Sequence, residues 1–230
     1  MTAIGPFATP AHWLGGAHLA RVTSVKDPDG KARVQVQMLG PDADRHALLW
    51  ARVAVPFAGD NRGAFLIPDV DDEVVVLFIG NDPRFPVVVG ALWNGGTEVP
   101  EEIGGDGDRI DRWTITGKAG TRIAIVEAAT GQEKVEIETP NGVKATLTDA
   151  AGGSIRLQTT PANSVTLDTQ GVSVTTTGKV SVTASSLDIN AGVVTVNSSF
   201  SQFTGVVLCQ SLITSATIST SYTPGAGNIW

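Results

Sequence analysis

The sequence has few of the residues on which several common functions depend. It contains a single cysteine, Cys209, so no disulfide bond can form within the chain, and the apolar stretch around it predicts a small buried side chain. Its longest purely apolar run, residues 74–79, is far shorter than the ~20 residues of a membrane-spanning helix. No basic stretch followed by an apolar segment opens the sequence, so no secretory signal peptide is predicted. We therefore expect a protein that is made in the cytoplasm and has no membrane anchor.

Basic charge is also scarce. The chain carries 16 Lys and Arg residues against 23 Asp and Glu residues, which gives a formal net charge of −7. Residues 1–112 alone carry 10 basic and 16 acidic side chains, and no basic run occurs in the sequence. Nucleic-acid binding requires a positive surface that matches the phosphate backbone. The composition thus argues against a nucleic-acid partner.

The distribution of charge divides the chain into two parts. Residues 160–230 contain only three charged side chains, Asp168, Lys179 and Asp188. Glycine-rich and acidic stretches at 94–97 and 104–108 interrupt the strand patterns between the two parts. We predict five segments: an N-terminal arm at 1–16, a head at 17–93, a linker at 94–112, a needle at 113–218 and a C-terminal tip segment at 219–230.

The first part has the pattern of short β-strands separated by turns. Apolar and polar residues alternate over five segments, and DPDG at residues 27–30 and GNDP at residues 80–83 are turn sequences. No window of ten or more residues shows the 3.6-residue apolar period of a helix. Five strands within about 80 residues predict a small closed barrel of the OB type. The strands are expected at residues 17–25, 32–39, 46–55, 73–79 and 86–93.

The second part contains an internal repeat. Pairs of apolar residues two positions apart recur along it, and from Val165 to Val194 the pairs start 7, 8, 7 and 7 residues apart. Gly171, Gly178 and Gly192 lie between pairs, where turns are expected. Each repeat thus holds one strand and one short turn, which is typical of solenoid architecture. The pairs are Trp113/Ile115, Ile123/Ile125, Val135/Ile137, Ile155/Leu157, Val165/Leu167, Val172/Val174, Val180/Val182, Leu187/Ile189 and Val194/Val196.

A repeat this short supplies one face and one turn, which is too little for one chain to coil alone as a β-helix. Three identical chains wound together would each supply one face per layer and would bury the aliphatic side chains along a common axis. Each buried side chain contributes about 1.5–3 kcal/mol, whereas a single chain would leave the stripe and its strand edges exposed. The predicted fold class is therefore all-β, an N-terminal OB-fold barrel followed by an intertwined, homotrimeric triple-stranded β-helix. An ordinary β-sandwich is the alternative.

Two segments resemble a known family. ARVTSVKDPDGKARVQV at residues 20–36 is similar to the opening of the head barrel in baseplate spike proteins. Residues 63–95 reproduce, almost continuously, that family's pattern of proline, acidic residue, valine strand, Gly-x-Asp-Pro-x-x-Pro and Val-x-Gly-x-Leu/Tyr-Asn-Gly. The family comprises the gpV-type spikes of contractile phage tails, the VgrG proteins of type VI secretion and the spikes of extracellular contractile injection systems.

The resemblance implies a structural protein that acts mechanically as the central spike of a baseplate. It implies a homotrimer that contacts baseplate hub and tube-end proteins through its head and meets the target cell envelope transiently as it pierces it. It further implies assembly, after synthesis in a bacterial cytoplasm, into a phage virion tail or a secreted contractile particle.

Two features found in some relatives are not expected here. Some carry a lysozyme domain between barrel and needle, whereas only residues 94–112 separate the two parts of this chain. Others bind iron through a His-x-His motif near the C-terminus, but the histidines of this chain are His12, His18 and His46. We therefore predict no catalytic residue, no metal and no cofactor. Since 16 residues precede the first predicted strand, the additional barrels of larger relatives are not expected either.

The C-terminal segment is the candidate binding site. Three copies of Tyr222, Ile229 and Trp230 would cluster at the distal end of the needle. One interpretation is a plug that covers the open end of the apolar core. The other, which the resemblance suggests, is a docking surface for a separate conical tip protein of the PAAR type.

Other functions remain open at this point. A trimeric tailspike or fibre that binds or cleaves cell-surface polysaccharide is the main alternative, and cleavage would need paired carboxylates on the needle wall. Asp168 and Asp188 are isolated there. A trimeric adhesin would need a large receptor-binding domain at its free end, for which the final 30 residues are too few. The sequence therefore favours a protein that is not an enzyme.

Overall fold

The computed structural model describes residues 15–40, 47–104, 107–159, 162–216 and 218. The chain divides into two units, Met1–Lys179 and Val180–Trp230. The strands of the described residues all lie in the first unit, together with two short 3-10 turns at Ile79–Asn81 and Ala150–Gly152. No helix in the described part of the chain has the length and apolar character needed to cross a membrane.

The head is a closed barrel built from the alternating segments. Its strands are β1 (His18–Ser24), β2 (Val34–Met38), β3 (Leu49–Val53), β4 (Ala58–Gly59), β5 (Arg62–Gly63), β6 (Glu73–Phe78) and β7 (Pro86–Leu92). The barrel order is β1-β2-β3-β7-β6, while β4 and β5 form a small separate hairpin that the sequence did not predict. Neighbouring barrel strands are antiparallel, except that β3 and β7 are parallel.

The barrel core follows directly from the alternation of apolar and polar residues. Because successive side chains of a strand point to opposite faces, every second residue of β1, β2 and β6 enters the interior. The largest fully buried side chains are all valines, and all of them lie in the barrel. The five predicted strands and the closed OB-type barrel are confirmed. The fully buried valines are Val22, Val34, Val36, Val74, Val76 and Val88.

The turn between β1 and β2 shows how local sequence sets the barrel connections. The Asp27 carboxylate accepts hydrogen bonds from the backbone N–H groups of Asp29 (3.1 Å) and Lys31 (2.9 Å), and from Nη2 of Arg33 (2.6 Å). The Arg33 guanidinium, with these backbone donors, holds the pKa of Asp27 well below its usual range. Gly30 adopts φ of 64°, a conformation that favours glycine. The DPDG sequence thus forms the predicted turn.

The second part of the first unit is a seven-stranded antiparallel sheet. Its order is β14-β13-β12-β11-β10-β9-β8, so each strand pairs with its neighbours in the sequence. The connections between consecutive strands are therefore hairpins within one chain. The strands are β8 (Arg112–Thr116), β9 (Arg122–Val126), β10 (Lys134–Glu138), β11 (Lys144–Thr148), β12 (Ser154–Thr159), β13 (Asn163–Asp168) and β14 (Gly171–Thr175).

This sheet refines the predicted strand pairing of the needle. The sequence predicted that other copies supply the neighbours of every strand from residue 113 onward, whereas through Thr175 the neighbours come from the same chain. For the first strands, the spacing of the apolar pairs allows this. The pairs that begin at Trp113, Ile123 and Val135 start 10 and 12 residues apart, which leaves room for a complete hairpin turn.

Beyond Thr175 the chain has a different character. Residues 176–216 and 218 form no strand, and all the side chains described from residue 177 onward are exposed. The apolar pairs Val180/Val182, Leu187/Ile189 and Val194/Val196 lie in this region. Exposure within one chain is what we expect for strands whose neighbours belong to other copies. That these residues become strands in an assembly stays a prediction.

Candidate functional site

One face of the seven-stranded sheet consists of two continuous apolar rows. Cross-strand pairing places Trp113 opposite Ile125 and continues this first row, strand by strand, to Val172. The second row begins with Ile115 and ends with Val174 in the same way. We call these fourteen residues the apolar face: Trp113, Ile125, Val135, Leu147, Ile155, Leu167 and Val172 in the first row, and Ile115, Ile123, Ile137, Ala145, Leu157, Val165 and Val174 in the second.

The apolar face is largely uncovered within a single chain. The exposed fractions of its large side chains include 38% for Val135 and 71% for Val172. Monomeric proteins rarely expose a contiguous apolar surface of this extent, and such surfaces mark interaction sites. Burial of one such aliphatic side chain contributes about 1.5–3 kcal/mol. The sheet therefore presents a surface that is suited to association with another apolar surface.

The apolar surface continues from the sheet to the barrel. Ile115 of the apolar face also lines a groove of about 970 Å³ between the first hairpin of the sheet and the loop that leads to β6. Phe65 and Leu66 of that loop line the same groove, and Phe65 is 80% exposed. The head and the sheet thus contribute to one uncovered apolar surface.

The opposite face of the sheet, which we call the polar face, carries charged side chains that form ion pairs with one another. Basic and acidic side chains of β8 to β11 lie close enough there to form ion pairs, and Glu101 from the preceding segment joins them. The set contains four basic and four acidic groups, so their formal charges balance. We call it the ion ladder: Glu101, Asp111, Arg112, Arg122, Lys134, Glu136, Glu138 and Lys144.

Glu136 lies at the centre of the ion ladder, and its side chain is only 9% exposed. Its Oε1 lies 2.9 Å from Nζ of Lys144 and 3.3 Å from Nζ of Lys134, and its Oε2 lies 3.4 Å from Nη1 of Arg122. Burial alone would raise the pKa of Glu136, but the hydrogen bond from Lys144 and the charges of Lys134 and Lys144 outweigh burial and lower it. The carboxylate is therefore stabilised in its charged form.

Through ion pairs, Glu101 connects the segment between the barrel and the sheet to the polar face of the sheet. Its carboxylate accepts a hydrogen bond from Nε of Arg122 and lies 3.5 Å from Nη1 of Arg112. The Arg122 hydrogen bond is the main reason that the pKa of Glu101 is lowered. Farther along, Nη2 of Arg109 donates to the carbonyl oxygen of Glu127 at 3.2 Å. The predicted linker is thus bound to the sheet rather than projecting from it.

The acidic cluster at residues 69–73 forms a turn. The backbone N–H of Asp69 donates to Oδ2 of Asp72 at 2.8 Å, and Asp71 has φ of 75°. Lys118 of the first sheet hairpin forms an ion pair with Asp69, which lowers the pKa of Asp69 and raises that of Lys118. Within the part of the chain that the structure describes, no group of three or more His, Cys, Asp or Glu residues is placed to hold a metal ion.

The positions of other predicted residues vary. Tyr222, Ile229 and Trp230 lie outside the described residues. Cys209 is exposed in the single chain. The prediction of a buried side chain is therefore wrong for one chain by itself, because the region around Cys209 has no core of its own. Asp168 accepts a hydrogen bond from the backbone N–H of Gln170 at 2.8 Å, so its carboxylate stabilises the turn between β13 and β14.

Two parts of the site were missed by sequence reasoning. The pair Ala145/Leu147 belongs to the apolar face but was not recognised as a member of the repeat, because alanine is a weak apolar signal. The ion ladder was missed as well. Its signal was present in KVEIE at residues 134–138, where charged residues occupy every second position, but its partners in other strands become evident only from the register.

Two domain-family descriptions match this chain. The "Type VI secretion system/phage-baseplate injector OB domain" matches residues 18–93, which include all five barrel strands. The "Phage baseplate V C-terminal trimerisation domain" matches residues 134–195, which include the sheet from β10 onward and continue beyond Thr175. Together the two matches cover more than half of the 230 residues.

The chain is also similar to curated spike proteins. It is 28% identical over 121 residues to type VI secretion system spike protein VgrG1c of Pseudomonas aeruginosa, which is 50% of this chain and 17% of that protein. It is 34% identical over 113 residues to VgrG5 of the same organism, which is 46% of this chain and 14% of that protein. VgrG3 of Vibrio cholerae is 37% identical over 51 residues, 22% of this chain and 5% of that protein. The chain thus spans a small fraction of the length of these relatives.

The structure combines a closed barrel with a sheet whose apolar face is uncovered, and part of that sheet matches a trimerisation domain. These features define an all-β protein with an OB-fold head and an association domain. The chain belongs to the baseplate spike family of phage tails and type VI secretion systems.

Proposed function

We propose that the protein is the central spike of a contractile injection machine, acts as a homotrimer and pierces the target cell envelope mechanically. The observation that carries this proposal is the apolar face, which is continuous over seven strands and uncovered within one chain. Part of this face lies within the region that matches a trimerisation domain. Three copies that turn their apolar faces toward a common axis would bury them together.

A trimer of this kind would resist axial load. The sheet hydrogen bonds run across the strands of each chain, and the ion ladder would remain on the outer surface. The apolar rows of three chains would interdigitate, and close-packed interiors have low compressibility. When the surrounding sheath contracts, such a spike would transmit force to the envelope without any chemical step.

The oligomeric state provides the first test of this function. We expect multi-angle light scattering of the full chain to give a mass three times its 23.8 kDa. Trimer formation should persist at high dilution, because many apolar side chains are buried at once. A folded species of 23.8 kDa at all concentrations would contradict the proposal.

We also propose that the head binds baseplate hub and tube-end proteins and that the spike leaves the cell as part of a tail or secreted particle. The relatives are named as spike proteins of type VI secretion, which supports such a location. They give no support to a polysaccharide-cleaving tailspike. We infer that the protein has no catalytic activity of its own and needs no cofactor.

The C-terminal segment is proposed as the docking surface for a PAAR-type tip protein, through Tyr222, Ile229 and Trp230. Removal of the last eight residues, which takes away Ile229 and Trp230 and leaves Tyr222, should abolish retention of the tip protein in a pull-down while the chain stays trimeric. The full-length chain is the control. A truncated trimer that retains the tip protein would leave only the plug interpretation.

A further inference from the structure

The head carries a second pocket, which we call the hairpin pocket because it lies beside the β4–β5 hairpin. Its volume is about 550 Å³, and it is lined by residues of β3, of the turn between β1 and β2, and of the hairpin with the chain that follows it. It adjoins the groove described above, with which it shares Phe65. The larger apolar side chains of its lining are Val53, Val55, Phe65 and Ile67. The hairpin pocket therefore offers apolar contacts to a ligand.

The charged side chains that line the hairpin pocket all have the same sign. They are Lys31, Arg52 and Arg62, and no Asp or Glu occurs among the described residues of the lining. Residues 1–112 as a whole carry 10 basic and 16 acidic side chains. Three cations grouped without an anion are therefore contrary to the charge of the region around them. The hairpin pocket is a local positive site, which favours a negatively charged ligand.

The two arginines are available to such a ligand. Arg52 follows the buried Ala51 in β3, so its side chain lies on the outer surface of the barrel. Neither Arg52 nor Arg62 forms an ion pair with another residue in the described part of the chain. Lys31 differs, since its Nζ lies 3.6 Å from Oδ2 of Asp29. Guanidinium groups bind carboxylates through two parallel hydrogen bonds, so a carboxylate is the anion that suits this pocket.

The hairpin itself positions Arg62. Asp60 and Asn61 form its two-residue turn, and Asn61 adopts φ of 50°, which asparagine tolerates better than most residues. Gly59 lies opposite Arg62 in the pairing of the two strands. A Cβ atom at Gly59 would lie only 2.7 Å from Nε of Arg62, so the missing side chain makes room for the arginine to cross the hairpin. The sequence AGDNRG thus holds a guanidinium beside the pocket.

The hairpin also offers backbone hydrogen bonds. β4 and β5 pair with each other and with none of the other described strands. The outer edge of such a pair presents N–H and C=O groups to which an extended peptide can add as a further strand. Alternate side chains of an extended peptide point to the same side. A carboxylate and an apolar side chain two positions apart would therefore face the hairpin pocket together.

We propose that the hairpin pocket binds an extended peptide segment of a neighbouring protein in the assembled particle, with an acidic side chain two residues away from a large apolar one. Arg52 and Arg62 bind the carboxylate, while Val53 and Phe65 contact the apolar side chain. This proposal rests on the proposed binding of baseplate proteins by the head and adds the chemistry of the partner. A nucleic acid fits less well, because it would bring many phosphates to a region that is acidic outside the pocket.

Four synthetic pentapeptides test this chemistry on the full-length chain by isothermal titration calorimetry. The parent is acetyl-Thr-Glu-Thr-Ile-Thr-amide, and the others carry glutamine for glutamate, serine for isoleucine, or both changes. We expect the parent to bind at least about tenfold more tightly than either singly changed peptide, since each loses one of the two contacts. Equal binding of all four peptides, or no binding of the parent, would overturn the proposal.

Substitutions in the pocket locate the binding. Arg52→Gln and Arg62→Gln should each weaken binding of the parent by about tenfold and reduce its advantage over the glutamine peptide. Gly59→Ala retains every charge but displaces Arg62, so it should weaken binding in the same direction. Lys26→Gln is the matched control, because it removes an exposed basic charge of the head outside the pocket. Arginine variants that bind the parent as Lys26→Gln does would place the peptide elsewhere and overturn the proposal.

Light scattering of the same samples separates failure of this proposal from failure of the spike function. A trimer that binds none of the peptides would overturn only the hairpin pocket, which another copy of the chain would then cover. Tighter binding of an oligothymidylate than of the parent peptide would identify a nucleic-acid site instead and would also overturn it. Peptide binding by a chain that stays monomeric would overturn the spike function, and with it the assignment of the peptide to a protein of the particle.

Discussion

Replacement of Leu167 by aspartate is expected to convert the trimer into monomers. Leu167 lies in the first row of the apolar face, between Ile155 on β12 and Val172 on β14. In a trimer its three copies would meet near the common axis. A carboxylate that is buried without a partner costs several kcal/mol, and a trimer would bury three of them. Light scattering at micromolar concentration should therefore report the mass of one chain.

The adjacent residue provides the control for this experiment. Thr166 lies on the polar face of the same strand, directly opposite Arg156 on β12. Thr166→Asp introduces the same charge next to a basic side chain, where an exposed ion pair changes stability by at most about 1 kcal/mol. This variant should remain trimeric. A trimeric Leu167→Asp variant, or loss of the trimer in both variants, would show that the apolar face is not the association surface.

The barrel was predictable because its signals are local. Alternation in β1, β2 and β6 identified both the strands and the side chains that fill the interior, and the DPDG turn follows from side-chain hydrogen bonds within seven residues. The apolar face was predictable for the same reason, since every second residue of each repeat is apolar. These features need only the two-residue period of a strand.

The pairing of the needle strands could not be derived in the same way. A strand of five residues carries the same alternation whether its neighbour is in the same chain or in another copy. The distinction depends on the conformation of the connections, such as Gly142 with φ of 79°, and on contacts between distant residues. Glu101 and Arg122 are 21 residues apart, and neither residue alone predicts the other. Register had to be known before the ion ladder could be recognised.

The ion ladder should make the stability of the sheet sensitive to acid. The pKa values of Glu101 and Glu136 are lowered in the folded chain, so both carboxylates bind protons more weakly there than in the unfolded chain. Their contribution to stability is therefore fully present above the ordinary glutamate pKa of about 4.3 and is lost as the pH falls through the lower folded values. Denaturant unfolding at a fixed protein concentration should show this loss below about pH 4.

Glu136→Gln isolates the contribution of the central carboxylate. At pH 7 the neutral amide leaves Lys134, Lys144 and Arg122 without their shared anion, and we expect a loss of about 1–3 kcal/mol per chain. Since the wild-type carboxylate loses its charge in acid, the difference between variant and wild type should shrink as the pH is lowered to about 3. Glu127→Gln, which changes an exposed glutamate in the connection from β9 to β10, should behave as wild type at both pH values. If the Glu136→Gln difference were equal at pH 7 and pH 3, the charge of Glu136 would not be what stabilises the polar face, and its role would be reduced to packing.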